Sequence, residues 1–273
     1  VVSHPNTGQS HAAWARRGRW LSWALAALAL IPAGCANFVD QVTSRDFDFK
    51  SLFVTPNPLL VLQNSTDNTL RAKALGALRE PSQYGGKPED QEVYVKILTA
   101  AAVGDRQPLC RLAAIKSLGH FKDPRAVEAL KEAYFSCNFP AETNAIIKEQ
   151  ALAALGHTKS PQARDFLVLV AREPPPTRDS NEVVKQQTLD IRLTAVRALA
   201  NFSHYEVTEA LVQVLRNEKD TALRERAHES LQVVTGKHLP ADAKEWDDFL
   251  HKSEKGEETL AQGGRGWNLL GWR

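Results

Sequence analysis

The stretch Arg111-Leu112-Ala113-Ala114-Ile115-Lys116-Ser117-Leu118-Gly119 decides the fold, because it is one of five variants of a single pattern. Arg111, Ala114, Ile115 and Leu118 stand at i, i+3, i+4 and i+7, which is one face of a helix turning every 3.6 residues. The same spacing occurs as Arg71-x-x-Ala74-Leu75-x-x-Leu78 and as Lys148-x-x-Ala151-Leu152-x-x-Leu155-Gly156. It returns as Arg192-x-x-Ala195-Val196-x-x-Leu199 and as Arg224-x-x-Ala227-His228-x-x-Leu231. The copies are separated by 40, 37, 44 and 32 residues.

A second half recurs behind each copy. Pro124, Ala126 and Leu130 match Pro161, Ala163 and Leu167, and Val207 and Leu211 fall at the equivalent places of the next unit. Gly119 and Gly156 are expected to end their helices in the left-handed conformation. Asp123-Pro124 and Ser160-Pro161 place a capping oxygen before a proline at the first helical position. Each unit then reads as a helical hairpin that cannot bury its apolar face alone, and stacking neighbours solves that. The predicted architecture is all-α, an α-α superhelix of about five helical hairpins over residues 65–252.

These residues resemble HEAT repeats, and are similar to the short bacterial HEAT-like repeats also found in phycobilin lyases. The resemblance covers residues 67–252, and Thr235-Gly236 followed by Trp246 looks like the close of such an array. It implies a protein-binding scaffold or adaptor with a concave surface lined largely by the second helix of each repeat. Glu128, Lys131, Arg164, Gln213 and Arg216 are the candidate partner-facing residues. The resemblance also carries a competing implication, an enzyme or chromophore-handling protein related to the bilin lyases. A purely structural envelope lipoprotein is a third reading.

Composition agrees with a helical array and excludes other classes. The chain is 43% hydrophobic and 24% charged, so it has the material for a core, while 7% aromatic content suits helix on helix better than a sandwich. Residues 1–34 hold Arg16, Arg17 and Arg19 and no acid, which leaves 31 basic against 32 acidic side chains in the rest. A near-neutral body lacks the electrostatic footprint of a nucleic-acid binder.

The N-terminal residues read as an address. Three arginines precede an apolar run over 20–32, which ends in Ala33-Gly34-Cys35. A basic region, a short apolar core and small residues make the pattern of a signal peptide. As a helix the run spans about 20 Å, short of the roughly 30 Å hydrocarbon core of a bilayer. Ala33-Gly34-Cys35 resembles the lipobox of bacterial lipoproteins, with Pro32 standing where an aliphatic residue is usual. That resemblance implies lipidation of Cys35 and an exported, membrane-anchored protein facing the periplasm or cell surface, with a protein partner in the cell envelope. The expected divisions are a signal peptide (1–34), a tether (35–64) with a first packing segment at 59–63, the solenoid (65–252) and a flexible tail (253–273). The tail ends in Gly266-Trp267-Asn268-Leu269-Leu270-Gly271-Trp272-Arg273. The longest spacing holds Glu173-Pro174-Pro175-Pro176, and residues 173–187 read as a loop with a short helix.

Signs of chemistry are few. Cys110 and Cys137 flank the two helices of the second repeat, so a disulfide and two buried free thiols both remain open. His120 and His157 occupy equivalent positions, and since Asn201 takes the same place in the fourth repeat they read as polar caps. The ladder Arg71, Arg111, Lys148, Arg192 and Arg224 reads as pairing between stacked units in preference to an anion groove. Asp247 and His251 share a helix face without a nucleophile beside them and read as a surface pair. No Gly-rich phosphate loop, Gly-x-Ser-x-Gly elbow or His-Glu-x-x-His pattern occurs. The expectation is a non-enzyme with no cofactor and no metal.

Overall fold

The computed structural model describes residues 57–136, 138–177 and 179–261, the last nine of these as backbone only. The expected signal peptide, Cys35, most of the tether, Cys137 and residues 262–273 lie outside the described residues. Eleven α-helices follow one another, and no strand occurs among the described residues. They are α1 (Pro58–Asn64), α2 (Asn68–Ala77), α3 (Pro88–Gly104), α4 (Pro108–Leu118), α5 (Pro124–Phe135) and α6 (Ala141–Thr158). Then come α7 (Pro161–Ala171), α8 (Glu182–Leu199), α9 (Tyr205–Asn217), α10 (Thr221–Thr235) and α11 (Ala243–Ala261). The segment expected to pack at 59–63 is α1, which lies against α2.

The five motif copies fall on α2, α4, α6, α8 and α10, and each of these helices packs on the next. They form one layer, which we call A. The second halves form layer B, in which α3 meets α5, α7 meets α9 and α9 meets α11. Each B helix also lies close against the following A helix: α3 on α4, α5 on α6, α7 on α8 and α9 on α10. Two stacked layers of antiparallel helices are a HEAT-like solenoid, as the repeats predict.

The motif residues face the core in every copy. Ala74, Ala114, Ala151, Ala195 and Ala227 are buried, and so are Leu78, Leu118, Leu155, Leu199 and Leu231. Proline starts α1, α3, α4, α5 and α7 at the first turn, where its missing N–H costs nothing. Asp67, Asp123, Asn181 and Asp220 accept backbone N–H bonds at the starts of α2, α5, α8 and α10. Ser160 differs from expectation, since it makes no side-chain cap bond and its hydroxyl turns to Gln162 Oε1 at 2.5 Å. The loop expected over 173–187 is shorter than predicted, because Asn181 caps α8 and the helix begins at Glu182.

The two repeat glycines also correct the sequence reading. Gly119 has right-handed backbone angles, and Gly156 lies inside α6, where the left-handed residue at the end is Lys159. Their role is proximity. A Cβ on Gly119 would stand 2.9 Å from the Cα and Cβ of Ala154, and one on Gly156 would stand 2.9 Å from the Cβ of Ala198. Small residues thus set the spacing of α4, α6 and α8. Where serine takes the position of Ala154 and Ala198 in the motif, its hydroxyl donates across the same seam. Ser117 donates to Leu75 O at 2.8 Å and Ser230 to Val196 O at 3.0 Å.

The last helix closes the array. Gly236, at φ +65°, ends α10 in the left-handed region. The chain then returns so that Leu239 O meets His228 Nε2 at 2.7 Å. Trp246 is fully buried, donates through Nε1 to Pro240 O at 2.9 Å, and sets its ring edge-on to those of His228 and Phe249.

Glycine-to-alanine exchanges separate spacing from helix propensity. A methyl group added to Gly76 in α2 would meet nothing within 4 Å. Gly76→Ala is expected to raise unfolding free energy by up to about 1 kcal/mol, the ordinary gain for alanine over glycine in a helix. Gly156→Ala is expected to lower it, because the methyl meets another helix. Urea denaturation of both variants checks this, and a gain at both positions would remove the spacing role.

Candidate interaction surface

Polar side chains inside the array tie one repeat to the next. Arg71 pairs with Asp105 at 2.6 Å, while Arg111 donates through Nε to Asp105 O at 2.9 Å. The Arg111 guanidinium also lies 4.8 Å over the Phe139 ring, and burial lowers its pKa against the opposing pull of Asp105. Lys148 Nζ stands 5.3 Å over the Tyr134 ring. Arg192, nearly fully buried, grips both carboxylate oxygens of Glu218 and donates to Ala171 O at 3.3 Å. The basic ladder therefore turns inward at its first four rungs, as the pairing reading expects, while Arg224 is exposed.

Glu80 is a fixed group that sequence reasoning missed. It sits in the turn from α2 to α3, is 4% exposed, and lies between repeats. Its Oε1 accepts from Gln91 Nε2 at 2.8 Å and from Asp123 N at 3.1 Å, and its Oε2 accepts from Lys122 N at 2.7 Å. The carboxylate thereby satisfies backbone donors just ahead of α5. No other repeat has an acid at that place, so the repeat pattern could not reveal it. Beside it Asp123 is held at a pKa of about 2, first by its bond from Arg125.

The five candidate partner-facing residues all lie on B helices. Glu128 and Lys131 of α5 pair with each other at 3.0 Å. Arg164 of α7 bonds Asp165 at 2.8 Å and reaches Glu206 of α9 at 3.6 Å. Gln213 of α9 donates to Glu209 at 3.0 Å, and Arg216 pairs with Asp247 of α11. Glu128 and Arg216 are exposed, and the other three are half-buried. They form a charged surface spread across three helices, and only Glu128 and Lys131 meet. The Asp247–Arg216 pair also shows that the carboxylate next to His251 serves an interhelical contact.

The same layer carries exposed apolar side chains that periodicity did not disclose. Phe135 is 66% exposed and Leu169 63% exposed. Phe135, Tyr134 and Phe166 meet edge to face with ring centres 5.1–5.8 Å apart, so α5 and α7 touch through aromatic rings. Adjacent aromatics at the end of an amphipathic helix were the available signal, but Tyr134 is buried and Phe135 is not, which only packing decides.

The remaining candidates resolve individually. His120 and His157 stack at 5.9 Å with both residues exposed. Burial, then His157, Arg79 and Lys116, lower the pKa of His120. Among the described residues no three His, Cys, Asp or Glu side chains form a metal-holding group. Cys110 is a buried free thiol whose Sγ lies 3.6 Å from Asn68 O, with its pKa raised by burial and by Asp105. Its proposed disulfide partner, Cys137, lies outside the described residues. Among the described residues no helix is long and apolar enough to cross a membrane.

Two stacked layers with an internal ladder of pairs define a helical-repeat scaffold for protein interaction. Residues 56–139, which run from α1 through α5, match the family model of HEAT repeats. The later helices carry the same motif in register. No curated protein matches the chain.

The pKa of Asp123 gives a signed expectation. Its folded value of about 2 lies below the ordinary 3.8, so its contribution is present above pH 3.8 and is lost as pH falls through 2. Asp123→Asn, which keeps a capping oxygen, should therefore be less stable than the wild type at pH 6. The difference should shrink toward pH 2 in urea titrations across that range, and a pH-independent difference would contradict the assignment.

Proposed function

We propose that this protein is a non-catalytic scaffold of the bacterial cell envelope, lipid-anchored through Cys35, which binds a protein partner on the outward surface of its B helices. The observation that carries the reading is the contrast between the two sides of layer B. Its inner side is buried core, while exposed Glu128, Arg216, Phe135 and Leu169 and half-buried Lys131, Arg164 and Gln213 stand on the same helices. Exposed apolar side chains on elements that also carry polar ones are compatible with a protein-binding surface.

Support for the envelope part comes from sequence: Arg16, Arg17 and Arg19, the apolar run behind them, and Ala33-Gly34-Cys35. A diacylated cysteine anchors stably, since each buried CH₂ contributes about 0.8 kcal/mol. Support for a non-enzyme comes from sequence, which holds no Gly-rich phosphate loop, Gly-x-Ser-x-Gly elbow or His-Glu-x-x-His pattern.

Two measurements test the proposal. In a Gram-negative host, wild type should fractionate with membranes and carry acyl mass on Cys35, and Cys35→Ala should become soluble. Identical behaviour of both forms would refute the anchor. Photocrosslinking residues placed at Glu128 and Arg216 should trap one envelope protein, while the same residue at Lys73 on α2 should not. Equal trapping from both layers would refute the B-helix surface.

A further inference from the structure

The A helices end along one edge of the array, and the first three of those ends gather positive groups. Arg79 follows α2, Lys116 stands in the last turn of α4 with His120 just beyond it, and His157 stands in the last turn of α6. α2 packs on α4 and α4 on α6, so the three ends are neighbours. Two contacts tie them together. Gln83 Nε2 donates to His120 O at 3.2 Å, and the rings of His120 and His157 stack 5.9 Å apart and 20° from parallel. Arg79, Lys116, His120 and His157 are all exposed.

Three of the four lack polar partners. Among the described residues the side chains of Lys116, His120 and His157 make no ion pair and no hydrogen bond. Arg79 uses only Nη1, on Gly76 O and Leu78 O. The only acids in the turns that follow α2, α4 and α6 are Glu80 and Asp123. Both are committed elsewhere, Glu80 to Gln91 and the N–H groups of Lys122 and Asp123, and Asp123 to Arg125. Partial burial, then His157, Arg79 and Lys116, disfavour the charged form of His120, and no acid offsets them. Helix dipoles explain why cations stand at these ends, since C-terminal carbonyls favour positive charge, but they leave the side-chain donors unused. A metal ion would add charge where like charges already repel. An oxyanion would relieve the repulsion and give each donor an acceptor.

We propose that Lys116, His120 and His157, with Arg79 beside them, bind a phosphate group across the seam between α4 and α6. The two imidazoles and the ammonium donate to separate phosphate oxygens at ordinary lengths of about 2.9 Å, and Arg79 adds charge. The site lies on the turns that leave layer A and involves neither Cys35 nor the candidate residues of layer B. It stands or falls separately from both.

The test titrates the full chain at pH 6 and constant ionic strength, followed by the backbone amide signals of residues 116–121 and 155–159. Inorganic phosphate should shift these signals saturably, with a Kd of millimolar order, and chloride should not. Lys116→Gln should weaken the binding by about fivefold. The double variant His120→Asn/His157→Asn should remove it, and it should fold, because the next repeat has Asn201 at that place. Lys219→Gln, in the turn from α9 to α10, should leave the binding unchanged. Glycerol 3-phosphate binding as tightly as inorganic phosphate identifies a phosphate carried on a larger molecule, and binding of inorganic phosphate alone identifies the free ion; either supports the site. Shifts that grow linearly with phosphate, that chloride reproduces, or that persist in the double variant would overturn it.

Discussion

The close approach of consecutive A helices governs everything else in this array. A helix with alanine or glycine at the contact lets its neighbour come nearer than leucine would allow, and dispersion between the two surfaces grows as the gap closes. Gly119 against Ala154 and Gly156 against Ala198 fix that distance in the middle of the solenoid. Ser117 and Ser230 hold the same seam by donating to carbonyls of the preceding A helix. With the A layer set, the larger side chains of layer B are left to fill the spaces between repeats, and Leu130, Leu167 and Leu211 are fully buried there.

Polar groups are placed to suit that packing. Arg71, Arg111 and Arg192 reach carboxylates or carbonyls at the loops that lead into the A helices, where backbone groups would otherwise lack partners. A buried pair such as Arg192 and Glu218 adds little net stability over an apolar substitute, yet removing one partner strands the other. The ladder therefore acts as a register device. Glu80 does similar service for the opposite loops, by taking the N–H groups of Lys122 and Asp123.

Layer A exposes apolar side chains, Ile146 and Val233 among them, and the outer side of layer B is one further exposed surface of the array. Its charged residues pair mostly with neighbours on the same or the next helix, which keeps them solvated and costs little to rearrange. Phe135 and Leu169 are the most exposed apolar side chains of layer B, and Val233 of α10 in layer A is as exposed as they are. An apolar group held in water beside satisfied charges is the kind of feature that a binding partner covers.

The five copies of the motif by themselves determined helix type, repeat number and the buried face, because a 3.6-residue period specifies one side of a helix without reference to its surroundings. The starts of α5 and α7 at Pro124 and Pro161 and the cap at Asp123 were legible for the same reason, since capping is local, although Ser160 makes no cap bond. The pairing of the basic ladder was legible as a tendency, but Asp105, Glu218 and the Phe139 ring as its partners depended on loops brought together across repeats. The glycines show the limit. Gly119 and Gly156 have the position of helix-ending residues in sequence, and only the neighbouring helix reveals that they are there for closeness. The exposure of Phe135 beside buried Tyr134, and the capture of Glu80 by another repeat, were likewise decided by tertiary structure, because burial is a property of what lies opposite a side chain and the sequence does not record that distance.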